Sequence, residues 1–178
     1  MSFQSSSSLS ETTNNATRDA DQWLAVLRIV TGAWFVKAIG TKWALLGGIL
    51  PIPMASQRWI ETMPHILDGY VKSNPLAWCR DLLQHAVIPN AEMFAHLTAI
   101  GEGLVGIGLT FGLLTRTSAV GGFFLLVVYE IAALGLPFSR HGLKLFMIVA
   151  VVAFFFARAG NTWGLDGWLN RRAATRSS

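Results

Sequence analysis

Apolar residues along this chain gather into four long runs, at roughly 23–50, 91–114, 118–136 and 142–159. Each can cross about 30 Å of hydrocarbon as a helix rising about 1.5 Å per residue. Polar and helix-breaking residues mark the borders. Pro51 and Pro53 close the first run, and Pro89-Asn90 precedes the second. The turn Leu114-Thr115-Arg116-Thr117 parts the second from the third, and Pro137 to His141 parts the third from the fourth. The pattern predicts an all-α membrane protein, a bundle of four transmembrane helices. Short connections make the last three spans antiparallel neighbours.

The connection between the first two spans, 51–90, is long and too apolar for a simple linker. Trp59, Ile60, Met63, Ile66, Leu67 and Tyr70 recur near helical spacing, and so do Leu76, Trp78, Leu82, Leu83, Ala86 and Val87. Two short amphipathic helices are expected, lying on the membrane surface or capping the bundle. Asn74-Pro75 reads as the start of the second, with Asn as N-cap and Pro in the first turn.

Residues 1–20 are polar and rich in Ser, Thr and Asn, so a disordered tail is expected there. They lack the basic start, apolar core and small-residue site of a signal peptide. The membrane domain is expected over 21–172, followed by a basic tail at 173–178.

Composition agrees. Of 178 residues, 52% are hydrophobic and 13% charged, against about 25% charged in soluble domains. The net charge of +4 is scattered rather than patterned, which argues against a nucleic-acid partner. The lipid bilayer is the expected partner surface, and seven Trp and eleven Phe suit it. Weighting basic residues in short loops favours cytoplasmic ends, in a cell's plasma membrane. The single cysteine, Cys79, excludes an intrachain disulfide, a Cys-x-x-Cys centre and a Cys-x-x-Cys-His haem site. No metal, flavin or haem signature is present.

Glu102, within the apolar stretch Thr98 to Thr110, changes the picture. A carboxylate deep in a bilayer costs about 3 kcal/mol on insertion scales. Helical rise puts it about 21 Å from Arg116. Lys37 lies equally far from Trp23, Glu130 from Arg116 and Lys144 from Arg158. Each span thus brings one ionisable group to a shared level, two acids and two bases, and Glu102 is expected to pair with Lys37 or Lys144. Such groups usually face the bundle interior. Three readings stay open: a static ion-pair clamp, a polar pocket for a headgroup or proton path, and snorkelling of the lysines. Lys42, Trp43, His96, Tyr129 and His141 lie just beyond this level and are the candidate substrate- or quinone-binding residues. Glu92 and His96 are spaced to pair on one helix face. Arg28, nearer the inner surface, is expected to snorkel or serve structurally, or to meet Asp166 if the tail folds back. Gly108-x-x-x-Gly112 allows close helix packing.

The combination of Arg28-x-x-x-Gly32-x-x-Phe35, Lys42-Trp43, the Glu102 segment GEGLVGIGLTFGLLTR, and Ala159-Gly160-Asn161-Thr162-Trp163-Gly164-Leu165-Asp166-Gly167-Trp168-Leu169 resembles the DoxX/DoxD family of four-helix membrane proteins. The stretch from Asn74-Pro75 to Pro89-Asn90 is closer to the DoxD type. The resemblance implies a membrane subunit related to that of thiosulfate:quinone oxidoreductase, with quinone as a substrate and a second oxidoreductase subunit as partner; a homo-oligomer is a separate expectation. It transfers no catalytic residue. Lys37, Glu102, Glu130 and Lys144 come from the charged level alone. The alternative is a non-catalytic anchor or assembly module whose ion pairs are structural. A haem between His96 and His141 is geometrically conceivable. A transporter is disfavoured by the lack of repeats and broken helices.

Overall fold

The computed structural model describes residues 4–46 and 49–176. Helix α1 runs Gln4–Lys42. A two-stranded antiparallel hairpin follows, β1 (Trp43–Leu46) and β2 (Leu50–Ala55). Then come α2 (Gln57–Ser73), α3 (Ala77–Leu82) with a π-helical turn at Leu83–Val87, α4 (Ala91–Phe111) and α5 (Thr115–Ala132). A short 3-10 turn at Phe138–Arg140 leads into α6 (Gly142–Phe156), and α7 (Leu165–Arg176) ends the described chain. Four of these segments are long and apolar enough to span a membrane: Asn15–Lys42, Ala91–Phe111, Thr115–Ala132 and Phe138–Phe156. The protein is therefore an all-α, multi-pass membrane protein. Val30, Leu104, Phe124 and Val149 are well exposed on the spans, as lipid-facing residues should be.

Three borders differ from the sequence reading. The polar stretch expected to be without structure is helical from Gln4, as a continuation of the first span. Adding residues to an existing helix costs far less than nucleating one. Residues 1–3 and 177–178 of the two expected tails lie outside the described residues. The first apolar run stops being helical at Lys42. Its remainder forms the hairpin, where Pro51 and Pro53 suit an exposed strand of a two-stranded ribbon. Asn74 does not begin a helix; it is the C-cap of α2. Its buried amide donates to the carbonyls of Ile131 and Ala132 at 2.8 and 2.9 Å, closing the end of α5. Its Oδ1 accepts the Leu76 N–H at 2.9 Å.

The spans pack most closely where α4 meets α1. A side chain at Gly106 would run into the α1 backbone at Phe35 and Val36, and one at Gly32 would strike Leu109 and Thr110. These glycines, more than Gly108 and Gly112, bring the two helices together. Gly112 instead takes a left-handed conformation at the end of α4, φ 64°, with Arg28 against it.

Two apolar cores result. One joins α1, α4, α5 and α6 around Phe35, Leu109, Val151 and Phe154. The other lies at the hairpin end, where Met63, Leu67, Cys79 and Leu83 of α2, α3 and the π turn pack on Ala95, Ala99 and Ala132. The amphipathic helices cap the bundle. Glu102 lies on α4 between Ala99 of one core and Val105 of the other.

The tail end is closed by a polar clamp. Arg28 is fully buried rather than snorkelling. Its guanidinium donates to the carbonyls of Ala159 and Trp163 at 3.0 and 3.1 Å. The tail does fold back. The Asp166 carboxylate accepts the backbone N–H groups of Leu114 and Thr115, both at 2.8 Å, which satisfies two otherwise unpaired donors at the start of α5.

Candidate functional site

Lys42 is the last residue of α1, and the hairpin doubles back over it: the Ser56 N–H donates to the Lys42 carbonyl at 2.7 Å. Its side chain lies on the stripe Arg28, Thr31, Phe35, Ala38, Lys42, which recurs every three or four residues and faces the bundle. The ammonium reaches Glu102 Oε1 at 2.7 Å, with the two side chains 17% and 9% exposed. It also sits 4.2 Å from the centre of the Trp59 ring and 5.6 Å from that of Tyr129. Aromatic faces attract a desolvated cation. The cost of burying Glu102 is thus offset by Lys42, and not by Lys37 or Lys144. Height alone did not decide it. Lys37 is turned to the exposed side of α1, where its ammonium lies 5.1 Å from the Trp34 ring.

Glu130, one position beyond Tyr129 on α5, has its own partners. Oε1 meets His141 Nδ1. Oε2 lies 2.8 Å from the Lys144 ammonium on α6, an ion pair off the alignment of a full hydrogen bond. His141 is buried at the start of α6, and its Nε2 lies 3.0 Å from the Leu136 carbonyl. The charged level therefore divides into two clusters, Lys42–Glu102 and His141–Glu130–Lys144.

The remaining candidates separate. Trp43 donates its indole N–H to the Ala99 carbonyl at 2.8 Å, its ring lying against Gly103. His96 Nδ1 accepts the Ala55 N–H at 3.0 Å, so this imidazole ties α4 to the hairpin rather than pairing with Glu92. Tyr129 faces Glu102 and Thr98, yet its buried hydroxyl closes no hydrogen bond of ordinary geometry among the described residues.

Two cavities meet at these clusters. A cleft of about 370 Å³ beside α1 and α6 is lined by Lys37, Lys42, Arg140 and Lys144, with Glu102 as its acid. A chamber of about 510 Å³ beneath α2 and α3 is walled mostly by apolar side chains, among them Trp59, Met63, Leu83, Phe94 and Val128. Lys42, Tyr129 and Lys144 line both. One wall thus offers an anion two or more ammonium groups from one side, and offers a flat apolar ring a hydroxyl donor from the other.

Outside the spans, burial pushes the Tyr70 hydroxyl above its ordinary range, and Arg140 draws it partly back. Burial also pushes the Cys79 thiol up. Among the described residues, no group of three or more His, Cys, Asp or Glu side chains could hold a metal ion.

Signals for the missed features were present in the chain. The α1 stripe singles out Lys42 over Lys37, and it carries Arg28 too. Asn74 gave no such signal, because its partners at Ile131 and Ala132 are backbone carbonyls.

No curated protein and no solved structure gives a match. The family model described as "TQO small subunit DoxD" matches residues 23–178, which takes in the spans, the capping helices and the tail clamp. The chain belongs to the DoxD family of membrane proteins.

Proposed function

We propose that the chain is the quinone-reducing membrane subunit of a thiosulfate:quinone oxidoreductase. The reaction is 2 S₂O₃²⁻ + quinone + 2 H⁺ → S₄O₆²⁻ + quinol. The observation that carries this reading is the shared wall of Lys42, Tyr129 and Lys144 between a basic cleft and an apolar chamber. The dianion binds in the cleft, and the quinone ring lies in the chamber with its carbonyl toward the Tyr129 hydroxyl. Electrons pass directly from sulfur to quinone or through a second subunit, and the family description as a small subunit favours the second. The hairpin end faces outward and both chain ends lie on the cytoplasmic side of the plasma membrane, which reporter fusions at either end test.

Purified protein is expected to carry bound quinone, and Glu102→Gln to fold yet lose thiosulfate-dependent quinone reduction. Tyr129→Phe is expected to raise the KM for quinone roughly fivefold, the worth of one hydrogen bond of about 1 kcal/mol. The reading fails if Glu102→Gln or Lys42→Met lowers thermal stability while quinone reduction persists. One observation favours a non-catalytic anchor instead: each buried carboxylate already has its own cation, as a structural clamp requires.

A further inference from the structure

Reduction of a quinone to a quinol takes up two protons, and coupling two thiosulfates to tetrathionate releases none. Water must supply both, across a wall that is largely apolar. Only one of the two charged clusters contains an imidazole, with each ring nitrogen against an oxygen acceptor. The Leu136 carbonyl can only accept, so His141 Nε2 carries a hydrogen toward it. Nδ1 faces a carboxylate oxygen of Glu130, a contact along which a proton can pass between ring and carboxylate. On the far side, the other Glu130 oxygen meets the Lys144 ammonium, which lines both cavities. His141 itself is flanked by exposed residues, Arg140 and Gly142.

We propose that His141, Glu130 and Lys144 form the proton route from water at the hairpin end to the reduced quinone, a proposal that rests on the function given above. An N–H bond of Lys144 breaks as an O–H bond forms on the quinone oxygen, whose electrons have come from thiosulfate. A proton passes from His141 Nδ1 to Glu130 and from Glu130 to the amine; the ring then turns from Glu130, and a hydronium ion from solvent re-protonates Nδ1 and leaves water. Two passes make one quinol. The Lys42–Glu102 pair has no imidazole and no comparable link to an exposed turn, and serves charge balance at the shared wall.

The test compares two electron acceptors, using the protein from its native membranes together with whatever subunit accompanies it. A short-chain ubiquinone needs protons on reduction; ferricyanide does not. Glu130→Gln and His141→Gln are expected to lower the rate of thiosulfate-dependent quinone reduction about 100-fold relative to that of ferricyanide reduction, the usual reach of a positioned acid or base. His141→Ala is expected to regain quinone reduction with added imidazole. Equal losses with both acceptors, or unchanged quinone reduction in both Gln variants, overturn the route. A wild-type protein that oxidises thiosulfate with ferricyanide but never with quinone overturns the function itself, and the route with it.

Discussion

At the scale of single residues, the decisive pair is Lys42 and Glu102. Removing one partner of a buried ion pair leaves an uncompensated charge and costs about 3 kcal/mol or more. Lys42→Met is therefore expected to destabilise the protein by about 3 kcal/mol. Lys37→Met, on the exposed side of α1, is expected to stay within about 0.5 kcal/mol. Denaturation of both variants in the same detergent checks the contrast, and equal losses would mean that Lys37 also faces the bundle. Trp59, Tyr129 and Glu102 surround one ammonium and together offset the cost of burying it. The same reasoning separates the two histidines. His96 holds a backbone amide, whereas His141 is joined to a carboxylate whose other oxygen meets Lys144, a residue of the cavity wall.

At the scale of elements, glycine positions decide how close α1 and α4 can come. A Cβ at Gly106 would lie 2.6 Å from the Val36 nitrogen and 2.9 Å from the Phe35 carbonyl carbon, both backbone atoms that cannot yield cheaply. Gly106→Ala is expected to cost about 2 kcal/mol through overpacking. Gly40 meets nothing within 4 Å, so Gly40→Ala is expected to gain about 0.5 kcal/mol from helix propensity alone. Melting temperatures of the two variants should move in opposite directions. The capping helices carry a pH signature. Burial raises the Cys79 thiol, so the folded state holds that proton more tightly than the unfolded chain. Its contribution to stability is full below the ordinary thiol range and is lost as pH rises through the raised value. Folded protein should accordingly react slowly with maleimide near neutral pH and faster as α2 and α3 loosen in alkali; rapid labelling at neutral pH would contradict the burial.

At the scale of the whole molecule, the charged clusters lie between two closures. The hairpin with α2 and α3 seals one end of the bundle, and the Arg28–Asp166 region seals the other. Asp166→Ala leaves two backbone donors at the start of α5 without their acceptor. It is expected to cost about 2 kcal/mol while sparing the proposed quinone binding at the opposite end. A variant that lost quinone binding at full stability would show the ends to be coupled.

Hydropathy and proline placement determined by themselves that the chain crosses a membrane four times and that 51–90 supplies amphipathic caps. Both follow from the cost of exposing backbone or charge to lipid, and each residue pays that cost locally. Helical rise likewise set Glu102 and Glu130 each fourteen residues from Arg116, an expected common level. Tertiary structure alone decided which base met which acid, that Trp43 and the residues after it left the helix for a hairpin, and that Asn74 closed α5 rather than opening α3. Pairing depends on azimuth as well as height. It also depends on where distant segments fold, as when the hairpin returns over Lys42 to bring Trp59 above its ammonium. Those contacts join parts of the chain far apart in sequence, so no local pattern encodes them.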